Sequence, residues 1–590
     1  MPQNESDVSN EPNEIQRVVL IGIDSIESTL IDQLIDRGEA PSFARLRAKG
    51  SWVYLDPGAD RDTGLSWEAI WTGRSGAANS RFSAIEFDPA TYDVHQHGTQ
   101  QTPFWAGLGL GGTTIAFDVP YTAALELDDL VTVTAWGASD PGYPRASWPK
   151  GLLSEIDARF GPHPACNNDY TIVWNDIERL QKMSQAYVGG AAKRVDVVEW
   201  LLDQYPDWKL LITVMSEPHG ASEAFWHGID PNHPLAEHPS APHAREALLA
   251  MVRAQDAALG RLLSATPDCV HVVVTNGGMA TNTADLASMV LLPELLYRSQ
   301  TGKQRLRWRP RVRAIDALRS GERWSTVIEH RHSHVAWRVG LWRRAPAVAR
   351  LASFGLHFRG ERSRAVVPQD RERTSGLVAW GLFDAGIPVE DPRPASEIGT
   401  NETTIDWHPA SRYRDAWPAM MAFALPSYFE GRIRLNLIGR ERAGIVALAD
   451  YFAACSSIEA LLADCTDATG QPIRFEVKRR DGDPLMRHQT DCDLEVRWSD
   501  PLDTIAHPKF GRIGPVPFRR TGGHNGSKGF AVFDGLPSDV SIDAGVTRPA
   551  TDLVASLTTL LGRSCLDPNS SRSFVHRSVA APSTGDFPTL

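Results

Sequence analysis

Three side chains spaced four apart, His219, Glu223 and His227, stand in SEPHGASEAFWHGIDPNHP, residues 216–234. On a helix such positions share a face, so His219 and Glu223 can close on one metal ion. His227 drifts about 80° around the helix from His219 at ~100° per residue, which assigns it to support or packing. The alternative is a loop of scattered histidines. Asp24 ends the apolar run RVVLIGID (17–24), where a carboxylate is a hard ligand for a divalent cation or a helix cap. Thr63 lies in DTGLSWEAIWTG (62–73), ahead of a helical stretch whose free N–H groups can seat a phosphate. A hydroxyl there is a nucleophile if a base or metal lowers its pKa; otherwise Thr63 or Ser66 is a cap. His524 sits among glycines in RRTGGHNGSKGFAVFDG (519–535), where backbone approaches closely and imidazole is the commonest metal ligand.

The elements around these residues read as α/β, with a central, mostly parallel sheet flanked by helices. RVVLIGID, WKLLITVMS (208–216) and CVHVVVTNGG (269–278) are short runs too apolar for one-sided strands, hence buried parallel ones. Helical spacing marks ESTLIDQLIDRG, PSFARLRAKG, VDVVEWLLDQYP (195–206) and about 241–264, and GFAVFDG (529–535) is a further strand. Ligands in such sheets bind beyond the carboxyl ends of the strands. That rule singles out Asp24, the loop from Ser216-Glu217, and Thr275-Asn276-Gly277.

Residues 1–15 read as a disordered tail, 16–290 as the first part of the core, 401–565 as its second part, and 566–590 as a loose tail rich in Ser, Pro and Thr. Between them, 291–400 is an Arg- and Trp-rich insertion. It is either a cap that binds anions or a solvated insertion whose arginines pair with the acidic body.

The 590 residues carry 60 Lys+Arg against 72 Asp+Glu, a formal charge of -12, which argues against nucleic acid as partner. A 42% hydrophobic composition argues against disorder. No apolar run approaches the ~20 residues of a membrane span, and no basic segment leads into an apolar one at the N-terminus. Six cysteines without a CxxC pair fit core thiols in a reducing compartment. A cytoplasmic protein without membrane association is expected.

In order along the chain, VVLIGID, GEAPSFARLRAKG, the Thr63 turn nine residues before Thr72 of WTG, LLITVMSEPHGASEAFWHGIDPNHP, VVVTNGGM, IRLNLIGRERAGIV (433–446) and GGHNGSKGF resemble the alkaline phosphatase superfamily. The nearest branch is the type I phosphodiesterase/nucleotide pyrophosphatase group. The resemblance implies an alkaline-phosphatase-like fold and phosphoric ester hydrolysis, with two zinc-like ions about 4 Å apart. It implies Thr63 as nucleophile and Asp24, His219, Glu223 and His524 as metal ligands. The family's Asp-His is replaced here by Asn276-Gly277, so Asn276 retains only an amide oxygen, and Ser66 stands where a phosphate-contacting Asn is common.

One divalent ion rather than two is therefore expected: zinc, with manganese or iron as alternatives. The expected function is a divergent phosphodiesterase or phosphatase acting on a small anionic ester. The alternatives are an impaired pseudoenzyme, or a repurposed single-metal protein, that binds a phosphorylated ligand or partner. A sulfatase is disfavoured because the 60–75 region has no Cys/Ser-x-Pro-x-Arg motif.

Overall fold

The structure, a computed structural model, describes residues 17–58, 64–98, 101–137, 145–165, 174–306, 402–405, 408–563 and 572–577. The expected nucleophile Thr63, the tail 1–15 and residues 307–400 of the expected insertion lie outside the described residues.

A nine-stranded sheet forms the centre. Its strands are β1 (Val18–Ile23), β2 (Ser51–Asp56), β3 (Thr114–Phe117), β4 (Leu130–Thr134), β5 (Ala146–Trp148), β6 (Leu210–Met215), β7 (Val270–Thr275), β8 (Gly529–Asp534) and β9 (Thr547–Pro549). They lie in the order β9-β2-β8-β7-β1-β6-β3-β4-β5. The run from β7 through β1, β6 and β3 to β4 is parallel. β8 runs antiparallel to both its neighbours, β2 and β7. The fold is mixed α/β with a mostly parallel sheet, as the apolar runs imply.

Every residue of β1, β6 and β7 is buried. The reason is visible in β1, whose alternate side chains enter opposite layers. Val19, Ile21 and Ile23 pack with α1 (Ser28–Asp36), α2 (Pro41–Lys49) and the long helices. Val18 and Leu20 pack with Trp67 and Ile70 of α3 (Ser66–Thr72) and with the helix Asp552–Leu560. A strand covered on both faces is apolar at most positions on either side, so the two-residue alternation disappears.

The helix expected at 195–206 is the end of α4, which spans Ile177–Gln204. Its start is set by Asp176, whose side chain accepts from the N–H groups of Glu178 and Arg179. Gly189-Gly190 in the middle suggests a break locally, but burial of Leu180, Met183, Tyr187 and Val198 carries the helix through. Two further helices matter for the site: α5 (Glu217–Phe225) and α6 (Ala241–Ala265).

A second, four-stranded antiparallel sheet joins Ala422–Leu425, Gly431–Leu435, Leu494–Trp498 and Phe475–Arg479. It shares a core with the helices Leu292–Thr301 and Tyr451–Ala463. Arg298 and Arg305, the described arginines at the start of the 291–400 stretch, pair with Glu294 and Asp415. The C-terminal stretch departs from the expected loose tail. Val575–Arg577 pairs with Val540–Ile542, and Phe574 is fully buried. Buried Phe574 and Val575, with the Arg572 and Phe574 N–H groups donating to Asp552 and Ser556, dock this segment, and the Ser/Pro-rich flanks hide them in the sequence.

Four described cysteines, Cys269, Cys455, Cys465 and Cys492, are buried free thiols. No helix among the described residues is long and apolar enough to cross a membrane.

Candidate metal centre

Asp24, Ser216 and Asn276 follow β1, β6 and β7 directly, so the carboxyl edge of three adjacent parallel strands brings their loops together. His524 reaches the same edge by a different route. Because β8 is antiparallel, its amino end lies where its neighbours' carboxyl ends lie, with Phe530 paired to Thr275. The loop entering β8 therefore arrives over the tips of β1 and β7.

That loop is tied down on two sides. The Thr521 N–H and hydroxyl both donate to the Glu223 carbonyl, at 2.8 and 3.1 Å. The Ser527 N–H donates to Glu27 Oε2 at 2.9 Å, while Glu27 Oε1 caps the start of α1. The same carboxylate accounts for Gly278, where a Cβ would fall 2.0 Å from Glu27 Oε2.

His219, Glu223 and His524 converge, with one ligand atom from each lying within 4.8 Å of the others. His219 Nε2 is 3.2 Å from Glu223 Oε1, and His219 Nδ1 is 3.2 Å from Asp24 Oδ2. His524 Nε2 is 3.7 Å from Glu223 Oε1, and the two imidazoles are 4.9 Å apart. Glu223 Oε2 is buried without a hydrogen-bond partner. Two imidazoles around a carboxylate with an oxygen left unbonded are a donor set that fits a small divalent cation.

The electrostatics follow from burial and charge. Burial alone would depress His219, but the charges of Glu223 and Asp24 outweigh it and hold its pKa well above the usual range. Burial would raise Glu223, yet the Arg520 guanidinium and His219 hold it far below the carboxylate range. Asp24 is lowered against its burial by His219 and by the Trp67 indole N–H. His524 is lowered, mainly by burial, which keeps its imidazole neutral and a ready ligand.

The residues expected to flank the site divide. Asn276 Oδ1 accepts the Ser25 N–H at 3.0 Å, so the amide supports the turn after Asp24, where Ser25 has φ +57°. His227 is turned away, bonded to the Ser240 hydroxyl at 3.0 Å and facing His233. Ser66 is buried in the first turn of α3. Gly64, next to Thr63 in the chain, has φ +76° and would place a Cβ 2.6 Å from the Phe429 ring, which in turn lies 5.3 Å from His524.

Four contributors had no local signal in the sequence. The Trp67 indole donates to Asp24 Oδ1 at 2.8 Å, which ties α3 to the tip of β1. The Ser25 hydroxyl donates to the same oxygen at 3.0 Å and lies 3.3 Å from His524 Nδ1. Arg520 pairs with Glu223 through Nη1. Arg194 of α4 pairs with Glu217, at the start of α5, at 2.9 Å.

These features define an α/β protein with a candidate single-metal centre at the carboxyl edge of its sheet. No protein-family model and no curated protein matches the chain. Among solved structures it is similar to murine ectonucleotide pyrophosphatase/phosphodiesterase 5, at 11% identity and a TM-score of 0.40, over 94% of this chain and 98% of that one. An inactive form of the same murine protein in complex with AMP is similar at 11% identity and a TM-score of 0.40, covering 94% and 97%.

Proposed function

We infer that the chain is a metal-dependent phosphoric ester hydrolase of the phosphodiesterase or phosphatase type, with Thr63 as nucleophile. The observation that carries this reading is the convergence of His219, Glu223 and His524, from segments about 300 residues apart in sequence, beside Asp24 at the strand tips. A divalent ion held by these three residues would supply Lewis-acid polarisation of a phosphoryl oxygen. Zinc suits two imidazoles and a carboxylate, and manganese and iron share that preference in part. One ion is expected. Gly277 offers no ligand, and Asn276 offers a neutral amide oxygen already bonded to Ser25.

The chain's own groups have separable tasks. Asp24 orients His219 through Nδ1, so that Nε2 points at Glu223. Ser25 holds the outer nitrogen of His524 and leaves Nε2 for the centre. Trp67 fixes the carboxylate of Asp24 and thereby the helix that follows the Thr63 turn. The substrate in this reading is a small anionic ester, and the location is cytoplasmic.

The test measures metal content alongside hydrolysis of p-nitrophenyl phosphate and bis(p-nitrophenyl) phosphate, with and without chelator. Turnover should depend on metal and be lost in Thr63→Ala and His524→Ala. Full activity in Thr63→Ala would remove the nucleophile assignment.

A second reading, a protein that binds a phosphorylated ligand without turning it over, is favoured by Asn276-Gly277. Metal-dependent phosphate binding with no hydrolysis of either ester would select it.

A further inference from the structure

The helix Tyr451–Ala463 lacks the charged face that a surface helix ordinarily turns to water. Its inner side is buried through Tyr451, Cys455, Ile458 and Leu462. At ~100° per residue its outer arc carries Phe452, Ala453, Ser456, Ser457, Ala460 and Ala463, all exposed and none ionisable. Glu459, at the margin of that arc, has both oxygens bonded to Arg479. A helix without charge on either side ordinarily lies between two layers, and among the described residues only one layer covers this one.

The apolar surface continues beyond the helix. Seven large apolar side chains are exposed among the described residues, and five of them, Ile438, Ile445, Leu448, Phe452 and Met486, gather in this region. Leu448 stands four residues before Phe452 on successive helical turns. The Ile438 N–H donates to the Val446 carbonyl at 2.9 Å, beside Ile445. Arg440 donates to the Pro484 carbonyl at 2.8 Å, at the start of the turn that holds Met486. The Tyr451 hydroxyl and Arg440 also meet on Asp493 Oδ1, at 3.3 and 2.8 Å, which ties both loops to the start of the helix. A gathered apolar surface of this kind marks a contact with another protein.

We propose that a second copy of the chain docks on this face, the two helices lying antiparallel about a two-fold axis near Ser456 and Ser457. Two features select a copy over an unrelated partner. The first is shape. Leu448 and Phe452 form a large end, and Ala460 and Ala463 form a small end ~12–17 Å beyond Phe452 at 1.5 Å per residue. Reversed on itself, the face sets each Phe452 against the alanines of the other copy, the self-match that a two-fold contact requires. The second feature is charge. Each copy carries -12 and repels its like, so copies meet most readily over neutral surface. The helix arc is uncharged. The exposed charges that precede it in the chain, Arg442 and Asp450, are opposite in sign, and neither forms an ion pair among the described residues. No residue of the metal centre takes part, so the inference stands apart from the hydrolase reading.

The test is sedimentation velocity of the full-length protein. Wild type should sediment at twice the chain mass at ~50 µM and dissociate on dilution. Phe452→Asp removes the large side chain and sets like charges into the contact, so the dissociation constant should rise at least ~30-fold, as for loss of one central anchor. Ala460→Arg fills the small end and should weaken the pair comparably. Both positions are exposed in the single chain, so circular dichroism and the unfolding midpoint should match wild type. If one variant loses its fold, the other decides.

A wild-type protein that remains a single chain at that concentration overturns the proposal, whichever other segment or partner covers the face. So does a dimer that survives Phe452→Asp, which would place the contact elsewhere. A dimer broken by Phe452→Asp but untouched by Ala460→Arg overturns the antiparallel packing and the proposal with it.

Discussion

Two buried ionic clusters flank the first two turns of α5, built from the same kinds of side chain and put to different uses. In one, Arg194 lies between Asp118 at 2.8 Å and Glu217 at 2.9 Å, with His163 2.9 Å from Glu217. In the other, His219 lies between Asp24 and Glu223, with Arg520 and His524 beside it. Each leaves one glutamate oxygen without a hydrogen bond, Glu217 Oε2 and Glu223 Oε2. The difference is access and ligand count. The Arg194, Asp118 and Glu217 side chains are 0% exposed, whereas His219 and His524 are 15% and 19% exposed. Two imidazoles converge on Glu223 and one on Glu217. A sealed cluster can only hold a loop in place; an open one with a second imidazole can exchange its partners.

The comparison breaks first at Arg194. Replacing it with Met leaves Glu217 and Asp118 buried without their cation, which costs about 3–5 kcal/mol where one partner of a buried pair is removed. Urea unfolding should show that loss, and a variant as stable as wild type would mean the cluster carries no structural load. Glu223→Gln should act in the opposite manner. Mn²⁺ affinity measured by calorimetry should fall at least ~100-fold, while the unfolding midpoint moves much less than in the Arg194 variant.

Acid and alkali should separate the clusters further. Glu217 is held at about 2, burial opposing and Arg194 and His163 lowering it, against an ordinary 4.5. A lowered carboxylate stabilises the fold fully above 4.5 and loses that contribution as pH falls towards 2, on the order of 3 kcal/mol. His219 is raised, so its contribution in metal-free protein is complete below 6.5 and disappears as pH rises through its folded value. Melting temperature against pH, in chelator, should show an acid limb softened in Glu217→Gln and an alkaline limb absent in His219→Gln. Identical limbs in wild type and variants would show that neither cluster titrates with folding. The smallest effect is expected for Trp67→Phe, which removes one hydrogen bond to Asp24: about 1 kcal/mol of stability, and metal affinity within about threefold of wild type.

The open cluster was half legible in the sequence and the sealed one was not. His219 and Glu223 are four apart, so helical geometry alone pairs them, and His524 is marked by its glycines. Arg520 lies 297 residues from Glu223 and is one arginine among many in its neighbourhood. Its role comes from the antiparallel entry of β8, which no local pattern encodes. Arg194 sits in a 28-residue helix whose charged residues all look like a solvated face until its packing against Phe117 of β3 and Trp136, just beyond β4, is known. The strands were legible because burial on both faces leaves an unmistakable composition. Their parallel run was legible too, but the antiparallel direction of β8 was not, since a short apolar run such as GFAVFDG reads the same either way.

The position of β8 has a consequence for synthesis. During translation β2 and β7 exist long before residues 529–534 emerge, and until then their facing edges have no partner. A ribosome-bound chain thus carries open strand edges on β2 and β7 across nearly half its length, each a template for pairing with another chain. The strand that arrives between them joins the two and delivers His524 in the same movement. Filling of the gap between β2 and β7 and assembly of the centre are therefore one event, and a chain truncated before residue 524 has neither.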